Sequence, residues 1–146
     1  MLEQIDRKLR EVRPILGLLA PEKGWLHAIR TALGMSLRQL GERLNISAQS
    51  VREIEQREAS GSITLKTLRD AAHALDLTLV YVLIPKDESL EAMIEKRAAS
   101  VARSIVLRTS TSMELEEQNV SSDRIARAIQ AKTDELSRTL PRYLWN

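Results

Sequence analysis

Gln49 and Arg52, three residues apart in "SAQSVREIEQ", carry side chains suited to reading the edge of a base. A glutamine amide can bond adenine at N6 and N7 together, and a guanidinium fork can donate two hydrogen bonds to guanine O6 and N7. Ala48 can meet a thymine methyl, and Glu53 can accept from cytosine N4. With Val51 and Ile54 turned inward, Ala48, Gln49, Arg52 and Glu53 share the outer face of one helix at i, i+1, i+4 and i+5. Two other uses stay open on the same face. Glu53 and Arg57 stand at the i, i+4 spacing of a surface ion pair, and Arg52 suits a phosphate as well as a base.

The rest of the chain offers no comparable cluster. His27 and His73 lie in separate helical segments, and neither has a cysteine, a carboxylate pair at metal spacing or a nucleophile-elbow motif beside it. The five glycines form no phosphate-cradling loop. No catalysis, metal or cofactor is therefore expected. The absence of cysteine removes a disulfide framework and a thiolate nucleophile, and fits a reducing compartment. Twenty-two Lys plus Arg against 20 Asp plus Glu give a net charge of +2, so any case for nucleic acid rests on the local motif rather than on a broad basic field. An aromatic content of 3% without phenylalanine leaves little to stack single-stranded bases on, whereas duplex reading needs no such platform. The N-terminus "MLEQIDRKLREVR" lacks the apolar run of a signal peptide, and "LTLVYVLIP" is too short to span a bilayer. A soluble cytoplasmic bacterial protein without membrane contact is expected.

These residues need elements to position them. Leu2, Ile5, Leu9, Val12 and Leu16 recur at helical spacing and predict an N-terminal amphipathic helix ending near "GLLAPEKG". A second helix runs from Trp25 to Leu33 and closes at Gly34, and Ser36 with Gln39 forms the capping-box pattern that opens a third. Another begins at Ser47, and one more spans about Thr64 to Leu75. "TLVYVLI", Thr78 to Ile84, is β-branched and aromatic and stops at Pro85, which reads as one strand with a fifth helix or buried coil as the alternative. A lone strand needs a partner, so Thr78, Val80, Tyr81, Val82 and Ile84 are expected to pair across a homodimer. Leu90, Met93, Ile94, Ala98, Val101, Ala102 and Ile105 predict a long helix, a polar link follows from Arg108 to Asp123, and Ile125 to Leu140 predict a last helix. The expected organisation is residues 1–24 as a helical extension, 25–84 as a compact helical domain with its terminal strand, and 85–146 as a C-terminal helical extension for dimer or partner contacts.

"LRQLGERLNISAQSVREIEQ" meets the demands of a helix-turn-helix. Leu40, Leu44, Ile46, Val51 and Ile54 form the interior between two helices, Gly41 is small where they approach, and Asn45 sits at the turn where a left-handed backbone favours Gly or Asn. The segment from about Trp25 to Leu79 resembles the Cro and phage-repressor class, the XRE family. The resemblance implies a mainly α, lambda-repressor-like bundle that docks the helix after Ser47 in the major groove. It also implies that Ser36, Ser47 and Gln56 grip phosphate oxygens, with Arg38, Arg43, Arg57 and Lys66 adding charge there, and that Arg30 pairs with Glu55 to orient the recognition helix. Leu37 departs from the family, which commonly places a Gln or Ser there as a phosphate clamp.

A wider resemblance covers nearly the whole chain. "GWLHAIRTALGMSLRQLGERL", "EASGSITLKTLRDAAHALDLTLVYVLIP" and "TSMELEEQ" are similar to the bacterial group called mobile mystery protein A, XRE-class regulators encoded beside a Fic-domain protein. The likeness implies an antitoxin-like, autoregulatory repressor that dimerises on a pseudo-palindromic double-stranded operator. It also implies a Fic-domain toxin as a second partner, met by the C-terminal helices and by Tyr143, Leu144 and Trp145. Ser112 and Glu116 supply part of the Fic-inhibitory pattern, but Glu117 stands where Gly or Asn is expected. The alternative for "SMELEE" is a helix start with acidic residues at its positive end.

Overall fold

A computed structural model describes the backbone of residues 1–114 and 122–146, with side chains described to Ser110 and again from Ser122. Seven α-helices lie among the described residues: α1 (Leu2–Val12), α2 (Trp25–Ala32), α3 (Leu37–Leu44), α4 (Ala48–Ser60), α5 (Leu65–Ala74), α6 (Leu90–Glu114) and α7 (Ser122–Thr139). A 3-10 turn, Arg13–Gly17, continues α1 and takes in Leu16, so the regular part of the first helix stops short of the predicted length. None of the described helices is long and apolar enough to cross a membrane.

The chain divides into two compact units. Pro14–Val82 form one, and Met1–Arg13 together with Leu83–Asn146 form the other. The N-terminal helix thus shares a unit with the C-terminal helices instead of standing as an extension of its own.

The Pro14–Val82 unit is organised by caps that sit where its local sequence places them. Ser36 accepts from the backbone of Gln39 at 3.1 Å while the Gln39 side chain accepts from the Ser36 N–H at 2.8 Å, which satisfies two orphan donors at the start of α3. Ser47 caps α4 through Ser50 N–H, and Thr64 caps α5 through Thr67 N–H, each at 3.1 Å. Between α3 and α4 the backbone turns at Asn45, φ 56° and ψ 42°, so an asparagine occupies the left-handed region it tolerates. Gly41 allows the turn to fold back on α3. A Cβ there would lie 2.6 Å from the carbonyl oxygen of Ile46, and the Ile46 N–H donates to the Gly41 carbonyl at 2.9 Å. Leu26, Leu40, Val51, Ala71 and Leu75 form the buried core, flanked by Leu44, Ile46, Ile54 and Leu68.

The second unit has a smaller core, Ala98, Ala102, Leu136 and Leu144, with Val101 and Ile129 against it. Side chains reaching backbone across long sequence separations hold its parts together. The buried Asp6 carboxylate on α1 accepts from the N–H groups of Leu90 at 2.8 Å and Glu91 at 3.1 Å, so the negative charge sits at the positive end of α6. Arg13 donates to the carbonyls of Pro85 and Asp87, and Arg97 donates to those of Leu144 and Asn146.

Three expectations are corrected here. The segment Thr78–Ile84 forms no strand: among the described residues its backbone takes part in no hydrogen bond, and Val80, Tyr81 and Leu83 are exposed. A ladder needs a second strand, and a single chain supplies none. Leu144 is fully buried in the core of the second unit, so it is a packing residue and no surface contact. The long helix also continues beyond Ile105 into the expected polar link, taking in Ser112 and Met113 and reaching Glu114, while Leu115 to Glu117 of "SMELEE" lie outside the described residues.

Candidate nucleic-acid interface

Helix α4 is the best-anchored element of the first unit. Val51 and Glu55 are buried and Ile54 half-buried, while Gln49, Arg52, Glu53 and Gln56 are exposed and Ala48 is half-buried. The split follows from helical periodicity: apolar residues and one buried acid take the inner stripe, and the polar side chains are left outside. Among the described residues, Gln49, Arg52, Glu53 and Gln56 have no side-chain hydrogen bond or ion pair. Glu53 and Arg57 do not meet in the surface pair that their spacing allowed. Four side chains with donor or acceptor chemistry therefore face outward uncommitted.

Two contacts from α2 hold α4 from behind. The Arg30 guanidinium donates to both Glu55 oxygens, at 3.0 Å from Nε to each and 2.8 Å from Nη2 to Oε1, with side chains only 9% and 6% exposed. Its Nη1 also donates to the Met35 carbonyl at 2.7 Å, so the pair ties α4 both to α2 and to the approach to α3. At the other end, Glu58 accepts from the N–H groups of Trp25 at 3.1 Å and Leu26 at 2.8 Å. The sequence reading did not single out Glu58. Its signal is indirect: Gly24 at the N-cap of α2 has no side chain to offer, so the cap must come from elsewhere.

The residues expected at phosphates fall into two groups. Ser36 and Ser47 are exposed N-caps of α3 and α4, with their oxygens accepting from backbone N–H groups, and the Ser47 hydroxyl also shares a 2.9 Å hydrogen bond with that of Ser50. Gln56 and Arg57 are exposed on α4. Arg38 pairs with Glu42 at 3.5 Å and Lys66 with Asp70 at 3.5 Å, both highly exposed i, i+4 pairs that a phosphate could displace. Arg43 differs, since its Nη1 donates to the Ala74 carbonyl at 3.0 Å and so fastens α3 to the end of α5. Of the residues expected to touch a second protein, Tyr143 and Trp145 are exposed at 47% and 57%. Glu116 and the side chain of Ser112 lie outside the described residues.

Residues 26–82 match the family model described as helix-turn-helix. The Pro14–Val82 unit thus contains a helix-turn-helix domain, and the match supports an XRE-type, DNA-binding regulator. No curated protein and no solved structure matches the chain.

Proposed function

We propose that the protein is a sequence-specific, double-stranded DNA-binding transcriptional repressor that acts as a homodimer on a pseudo-palindromic operator in its own promoter. One observation carries the reading: α4 presents Gln49, Arg52, Glu53 and Gln56 outward and uncommitted while the buried Arg30–Glu55 pair fixes its inner face. Gln49 and Arg52 read bases, and Ala48 and Glu53 flank them. Ser36, Ser47, Gln56 and Arg57 position the backbone, with Arg38 and Lys66 adding charge. Arg43 contributes chiefly to holding α5. A gel shift with the upstream region of the gene should show a discrete complex that Gln49→Ala with Arg52→Ala abolishes. Unchanged binding by that variant would reject the recognition face.

Exposed Val80 and Tyr81 offer an apolar surface for the homodimer, and replacing both with Glu should then yield monomers by light scattering.

A second reading, restraint of a Fic-type toxin by an antitoxin-like partner, draws on the resemblance to mobile mystery protein A and on Tyr143 and Trp145, exposed on either side of buried Leu144. Pull-down of the neighbouring gene product by the full chain should be lost in Tyr143→Ala with Trp145→Ala. Equal recovery would reject this surface.

A further inference from the structure

The unit that holds α6 and α7 is discontinuous in sequence. Its Met1–Arg13 piece ends where the chain passes into the helix-turn-helix unit at Pro14, and the chain returns to it at Leu83. The core of this unit, Ala98, Ala102, Leu136 and Leu144 with Val101 and Ile129 against it, is drawn from the later piece. An 11-residue helix whose N-cap, Met1, makes no side-chain cap bond is marginal in water by itself, so α1 depends on docking against α6. Two polar grips make that docking. Asp6 accepts from the N–H groups of Leu90 and Glu91, and Arg13 Nη1 donates to the carbonyls of Pro85, Asp87 and Glu88 at 3.2, 2.9 and 3.3 Å. Arg13 is the last residue before the chain leaves the unit, and the carbonyls it holds follow directly on the return, so the grips close a loop made of residues 14–82.

We propose that α1 is a latch on α6 whose closure depends on residues 14–82 being folded. With that unit folded, only its connecting segments, residues 18–24 and 75–84, are irregular backbone within the loop. With it unfolded, the whole of 14–82 becomes flexible chain. The probability of closing a loop falls roughly as the three-halves power of its flexible length, which makes the latch about five- to tenfold weaker in the second case. The state of the helix-turn-helix unit is thereby passed to the start of α6, which loses the Asp6 carboxylate from its positive end when the latch opens. The pairing of α6 with α7 lies outside the latch, because its core comes from one continuous stretch. The latch does not depend on what α4 reads.

Amide exchange at Leu90 and Glu91 in the full chain reads the latch, since Asp6 accepts from these two N–H groups. Leu40→Ala with Val51→Ala removes two fully buried side chains from the first unit. Once α3 and α4 have lost protection, exchange at Leu90 and Glu91 should rise about five- to tenfold while Leu136 in α7 stays protected. Unchanged rates at Leu90 and Glu91, or loss of protection at Leu136, would overturn the proposal. A second variant keeps the first unit folded: about twenty glycine and serine residues inserted after Ala20 lengthen the loop and should raise the same two rates about threefold with α4 still protected. No rise there would also overturn it. In an Asp6→Ala background, where the latch is already open, neither change should add to the rates at Leu90 and Glu91. A further rise would mean general loosening and would reject the latch.

Discussion

The helix-turn-helix unit and the unit built from α1, α6 and α7 solve the same problem, holding helices together, by different means. In the first, each helix start among α3, α4 and α5 is capped by a serine or threonine immediately before it, and the turn between α3 and α4 depends on Gly41 and Asn45, both inside the motif. In the second, the start of α6 is capped by Asp6, 84 residues upstream, and the last turn is held by Arg97 across 47 residues. Local caps make a unit legible from a short window of sequence, whereas long-range caps bind the ends of the chain together without leaving a local trace. The first design also leaves the outer face of α4 uncommitted, because the Arg30 and α2 backbone contacts that hold α4 lie on its inner side.

Breaking the first unit from behind should have the largest effect. Glu55→Ala leaves the Arg30 guanidinium buried without its carboxylate and should cost about 3–5 kcal/mol in thermal or urea unfolding. Amide exchange should accelerate mainly in residues 14–82 if the two units are separate in stability, and uniform acceleration would show them to be coupled. Leu136→Ala opens a cavity beside Ala98 and Ala102 in the second unit and should cost about 2–5 kcal/mol. The duplex affinity of the folded protein should be unchanged, and a parallel loss would mean that the second unit supports recognition. Smallest is Asp6→Ala, which uncaps α6 and should cost about 1–2 kcal/mol with faster exchange at Leu90 and Glu91. No change there would show that the long-range cap contributes little.

Much of the candidate site was legible because its determinants are local. Helical periodicity put Val51 and Ile54 inside and Gln49, Arg52 and Glu53 outside, and the Ser36–Gln39 box and the left-handed Asn45 follow from residue chemistry alone. The Arg30–Glu55 pairing came through family resemblance, since a contact across 25 residues has no periodic signature. Glu58 was missed for the same reason. The segment Thr78–Ile84 misled because β-propensity describes a surface that fits a sheet, while a strand also needs a partner edge. Spacing alone overstated the Glu53–Arg57 pair. Leu144 shows the opposite error: an apolar residue near the end of the chain reads as exposed until the α6 and α7 core that receives it is known.

The proposed role of Arg52 is to read a base and not merely to hold a phosphate. Binding of the wild-type chain and of Arg52→Ala should be measured against every single-base-pair variant of the operator. The substitution should erase about 1–3 kcal/mol of discrimination at one symmetric position per half-site and leave the others intact. Uniform weakening across all variants, with discrimination preserved at every position, would contradict it.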